Sequence, residues 1–249
     1  MKGLIIKDLY CLKKQFQTFA FIITGVMAVG LMFVLSVNYG NLRPAVSGME
    51  EAGFDITMSV KIAVMFFMLL PLVCAGNIAD SFADDKTASF YKVAASLPTT
   101  TGKRVMSKFV TAMLFLASGL IIDIAAAGVI SCVSDIMVFS KCISLLVSIS
   151  ACVMIGMSLT NTVIYAGVPP LYSVYIPPLT AGIIFFAVKI KSIINALTSG
   201  DVSGMARFVN AVIKAFEEHP AAFAISAFAV AAVSWFVSTR LALRKRGVA

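Results

Sequence analysis

Six apolar runs limit what this chain can fold into more than any other feature of it. They cover residues 19–37, 58–78, 109–133, 142–165, 171–189 and 221–243, each 19 to 25 residues long. At about 1.5 Å of helix rise per residue, each is long enough to cross a hydrocarbon core of about 30 Å. None alternates with a period of two, and only helices or closed barrels satisfy every backbone group in lipid. Composition agrees: 60% of residues are hydrophobic and 13% are charged. Soluble domains carry about 25% charged residues. One soluble core could not hide this much apolar surface, so the expected fold is an all-α integral membrane protein with six transmembrane helices.

The weakest division lies between the fourth and fifth runs. Only Gly167, Val168, Pro169 and Pro170 separate them, with no charge. As one helix, residues 142–189 would extend roughly 70 Å, more than twice the hydrocarbon core. Two spans joined by a proline turn are therefore predicted. Pro177 and Pro178 fall near the start of the fifth run and should kink or break it there.

The net charge of +8 is clustered beside the runs, which fits anionic headgroups better than nucleic acid. Lys2, Lys7, Lys13 and Lys14 precede the first run. Lys86, Lys92, Lys103, Arg104 and Lys108 follow the second, and Arg240, Arg244, Lys245 and Arg246 follow the last. These are thirteen of the 20 basic residues. The positive-inside rule puts this side, and with it both termini, in the cytoplasm. The proline turn adds nothing to the count, so its side follows from helix parity alone.

Residues 1–17 carry Leu4, Ile5, Leu9, Leu12 and Phe16 at helical spacing, with the lysines largely off that stripe. An amphipathic helix on the cytoplasmic surface is predicted, its lysines reaching toward headgroups. Before the last run, Val202, Met205, Phe208, Val209, Val212 and Phe216 form a second stripe, which predicts a short amphipathic helix on the outer face ending at Pro220. The segment 79–108 is the long cytoplasmic loop. Asp84 and Asp85 stand where a helix dipole favours acids, and Phe90, Tyr91, Val93 and Leu97 offer an apolar face before Pro98 ends the helix. A short coupling helix for a soluble partner is predicted; the alternative is a solvated linker with topogenic charge.

Chemistry is sparse. His219 is the one histidine, and it lies in the outer loop beside Pro220. The five cysteines show no CxxC spacing and read as small hydrophobes. No metal or catalytic site is expected. The chain contains no GxxxxGK[ST], HExxH or GxSxG. Asp123 is the one acid deep in a run, and a carboxylate there faces protein or water. Two readings stand side by side: a polar site on a translocation path, and a structural contact between helices. Gly25, Gly30 and Gly156 could allow close helix packing.

The opening Met-Lys-Gly-Leu-Ile-Ile-Lys-Asp-Leu-Tyr resembles the start of small permeases of the ABC-2 transporter type. Ser96-Leu97-Pro98, Gly102-Lys103-Arg104 and Ser107-Lys108 resemble that family's segment between its second and third spans. The likeness covers the whole layout of 1–249 as a single permease domain, and the uncharged proline turn departs from the basic turn found there in the family. The resemblance implies the membrane subunit of an ATP-binding cassette exporter in the cell membrane, paired with a second permease copy. It also implies a separate ATPase subunit that holds ATP and Mg, so this chain would be no enzyme and carry no cofactor. Asp84, Asp85, Phe90, Tyr91, Leu97 and Pro98 would dock that subunit. Amphipathic peptides or antimicrobial compounds are the expected substrates, since no sizeable soluble domain is present to recognise a polar polymer. A non-transporting immunity or assembly protein that binds a peptide or enzyme partner is the alternative.

Overall fold

The computed structural model describes residues 2–40, 81–82, 85, 99–133, 139–199 and 203–246. The predicted second span, 58–78, lies outside them. So do Asp84, Phe90, Tyr91, Leu97 and Pro98 of the predicted docking segment. Among the described residues the regular structure is entirely helical. The helices are α1 (Lys2–Tyr39), α2 (Thr101–Val133), α3 (Phe139–Ala166), α4 (Pro170–Ser173), α5 (Ile176–Ser199), α6 (Ser203–Glu218) and α7 (Pro220–Arg246). Among the described residues, four stretches are long and apolar enough to cross a membrane: Thr101–Val129, Phe139–Ala166, Pro170–Ile190 and Pro220–Arg244. They match the third to sixth predicted runs.

The N-terminal surface helix and first span expected from the sequence are one element. α1 runs 38 residues without a break, about 57 Å at the usual helical rise. The face it turns into the protein is not the stripe predicted to lie on the membrane. Asp8 and Leu12, one turn apart, are buried, whereas Leu9 is exposed. The reason is electrostatic: Asp8 turns inward to meet two lysines, and Leu9 on the neighbouring face is left exposed.

α3 is the central helix and packs against α2, α6 and α7. The core joins Ala112 and Leu116 of α2, Ile149, Ala151, Met154 and Met157 of α3, and Ala227 and Ala231 of α7. Alanines at these contacts let the helix backbones approach, as small residues do in membranes. Gly25 and Gly156 do not serve this purpose, because a Cβ added at either would meet nothing within 4 Å; Gly30 is buried. Hydroxyls bridge the same helices. Thr162 Oγ1 donates to the Ser158 carbonyl at 3.0 Å and approaches that of Ser234 at 3.4 Å. The Ser238 hydroxyl reaches Thr162 Oγ1 at 3.2 Å.

The division at the prolines has a local cause. Gly167 has φ 119°, a conformation that side chains disfavour. Its N–H donates to the Ile164 carbonyl at 3.0 Å, and the Val168 N–H to that of Val163 at 3.3 Å. This is a Schellman closure of α3. Pro169 then caps α4, and Pro170 opens it. Pro177 and Pro178 fall in the first turn of α5, where a missing N–H costs nothing. The predicted break is therefore the turn at Val174 and Tyr175, just ahead of them.

Contacts at both ends fix how the helices run. Phe82 meets Tyr165 edge-on at 5.5 Å between ring centroids, and a Cβ on Gly102 would lie 3.7 Å from Thr239 Cγ2. The start of α2, the end of α3 and the last turns of α7 therefore share one end. At the other end, Gly128 approaches Phe139, and Lys141 pairs with Glu217 at 3.9 Å. The proline turn thus lies at the end that carries Lys103, Arg104 and Lys108, which the charge count could not decide. α6 lies at the opposite end, where its Phe216 carbonyl accepts the Ser148 hydroxyl at 2.8 Å.

Candidate functional site at the basic end

Four charged residues close a ring where α1, α2 and the segment containing Ser81 and Asp85 meet. Lys108 Nζ lies 2.9 Å from Asp8 Oδ1 and 2.6 Å from Asp85 Oδ2. Lys7 Nζ lies 2.8 Å from the same Asp8 Oδ1 and pairs also with Asp85 Oδ1. Cation and anion alternate around the ring, so its formal charge is zero. Asp8 is 1% exposed and Lys108 6%. Buried charges of this kind persist only when paired and hydrogen-bonded.

The sequence explains the positions locally. Val105, Lys108, Phe109, Ala112 and Leu116 are all buried at three- and four-residue spacing, so Lys108 is carried on the inward stripe of α2. Asp8 is carried on the inward stripe of α1 with Leu12. Lys108 further donates to the Ser81 hydroxyl and approaches the Ser81 carbonyl at 3.3 Å. Its ammonium also lies 4.9 Å from the centre of the Phe82 ring, within cation–π range. One lysine therefore holds Ser81, Phe82 and Asp85 against the bundle. Burial alone would lower the pKa of Lys7, but its hydrogen bonds and charge attraction with Asp8 and Asp85 outweigh that and raise it above the ordinary lysine value.

Of the predicted docking residues, Asp85 is within the described structure, and its carboxylate is engaged by Lys7 and Lys108. Lys7, expected to reach toward headgroups, is turned into the ring instead. Sequence reasoning missed Asp8. The available signal was that it is the one acid among the first 17 residues, in a segment otherwise rich in lysine.

Asp123 is completely buried. It continues the inward stripe of α2, seven positions beyond Leu116. Neither carboxylate oxygen has a hydrogen-bond partner among the described residues. The same is true of both side-chain amide atoms of Asn161 on α3. Asn161 was overlooked, although a lone amide in an apolar run is itself a signal. It borders a small cavity of about 10 Å³ with Phe109, Met157 and Ser158. A larger apolar cleft of about 530 Å³ opens between α2, α3 and α7, lined by Met106, Met113, Met154 and Phe228 among others, and Asp123 is not in its lining. Among the described residues no group of three or more histidine, cysteine or acidic side chains could hold a metal ion.

No family model, curated protein or solved structure matches this chain.

Proposed function

We propose that this chain is the permease subunit of an ATP-binding cassette exporter of the ABC-2 type. It has six spans and both termini in the cytoplasm of the cell, and it pairs with a second permease copy. A separate ATPase subunit binds ATP and Mg, docks on the 79–108 loop, and drives amphipathic peptides or antimicrobial compounds outward. What supports the reading is the ring of Lys7, Asp8, Asp85 and Lys108. It ties the proposed docking loop to α1 and to the base of α2, the connection a permease needs if work done on a cytoplasmic partner is to reach its spans. The lack of a phosphate-binding loop in the sequence fits the same division of labour.

The test is purification with and without a co-expressed ATP-binding cassette subunit. The expected result is a stable complex with ATPase activity and no such activity from the chain alone. ATP hydrolysis by the isolated chain, or no association with that subunit, would overturn the proposal.

A further inference from the structure

We propose that Asp8 and Lys108 are positioning residues that clamp the start of the 79–108 loop to the span bundle, so that load on the loop reaches α1 and α2 together. The inference rests on the permease reading for its functional consequence, but the clamp itself can be tested without it.

Lys108 grips the loop at two points four positions apart. It meets Ser81 through the hydroxyl and the carbonyl, and Asp85 through a carboxylate oxygen at 2.6 Å. Asp8 holds Lys108 from the α1 side at 2.9 Å while sharing its Oδ1 with Lys7. The loop thus has no link to α1 through this ring that avoids both Lys7 and Lys108. Flexible surface pairs would transmit little, because exposed ion pairs break and re-form at small cost. Here Asp8 and Lys108 are both buried, so removing either leaves the ring with an uncompensated charge held away from water.

The ring also dictates which substitutions preserve it. Exchanging Asp8 and Lys108 alone would set Lys7 beside a second cation and Asp85 beside a second anion. Inverting all four residues keeps the alternation. Removing Asp8 and Lys108 as charges leaves the neutral pair Lys7–Asp85, which still joins the loop to α1, so the variant retains charge balance while the loop's ionic grip on α2 is gone.

The experiment uses the full chain in lipid nanodiscs, carrying Asp8→Asn with Lys108→Gln, or the four-residue inversion Lys7→Asp, Asp8→Lys, Asp85→Lys, Lys108→Asp. Limited trypsinolysis after Lys92, scored by fragment mass so that the site added by Asp85→Lys is counted apart, reads the clamp alone. The double variant should be cut about fivefold faster or more, within the range by which residues in a coupling network act, and the inversion should return the rate toward wild type. An unchanged rate in the double variant overturns the clamp. The second readout is the ATPase rate of the complex with its ATP-binding subunit. The double variant should still associate, and the permease-dependent rate should fall by a similar factor. Association together with full permease-dependent activity overturns the coupling role. Failure of the wild-type chain to associate refutes the permease reading instead, and the trypsin rates still decide the clamp.

Discussion

Asp8 and Lys108 stand one hundred positions apart in sequence and meet at 2.9 Å in a buried contact. Removing either charge leaves the buried ring of Lys7, Asp8, Asp85 and Lys108 with one uncompensated charge. Asp8→Asn or Lys108→Gln alone should destabilise the chain by about 3–5 kcal/mol, the usual loss when one partner of a buried pair is removed. The double substitution should cost clearly less than the sum of the two. Denaturant titration in mixed micelles measures all three, and additive losses would show that the two side chains do not interact.

Alkaline pH should loosen the same ring. The Lys7 pKa is raised above the model-compound value of 10.5. A lysine whose pKa is higher folded than unfolded contributes stability that is fully present below the unfolded pKa and is lost as pH rises through the folded one. The thermal midpoint should therefore hold through neutral and mildly basic pH, then fall above about pH 10.5. Lys7→Met should remove that part of the alkaline loss, and an identical pH profile in the variant would refute the assignment.

Gly167 closes α3 with φ 119°, and L side chains pay about 1–2 kcal/mol to adopt left-handed backbone conformations. Gly167→Ala should lower stability by that order or more. Gly156→Ala should not, because nothing lies within 4 Å of the added Cβ and alanine favours helix. Thermal unfolding of the two variants side by side makes the comparison, and equal losses would remove the Schellman closure as the cause.

Labelling can test the arrangement of ends. With the native cysteines replaced, single cysteines at Val168 and Lys103 should react from the same face of the membrane, and one at Lys214 from the opposite face. Under the proposed orientation the first two report the cytoplasm. Opposite reactivity of Val168 and Lys103 would break the six-span arrangement at the proline turn.

Asp123 separates stability from function. Its oxygens lack partners among the described residues, and an unpaired buried polar group costs about 1–3 kcal/mol. Asp123→Leu should therefore raise the thermal midpoint. If the residue also serves a translocation path, export of an amphipathic peptide should fall in this more stable variant. Unchanged export would leave it a structural residue, and a lowered midpoint would reveal a stabilising contact.

The sequence by itself determined the all-helical class, the four described helices that are long and apolar enough to cross a membrane, and the division at the proline turn. Each depends on neighbours in the chain: the length of an apolar run, and prolines that cannot continue a helix. The tertiary structure alone decided which face of α1 turns inward, that the proline turn shares an end with Lys103 and Lys108, and that Lys7, Asp8, Asp85 and Lys108 form one ring. Periodicity grouped Leu9 and Leu12 on one membrane-facing stripe because it counts apolar side chains and cannot see an ion partner 78 or 100 positions away. Charges in a low-dielectric setting choose partners by where the packed helices bring them, and that is set by the bundle as a whole.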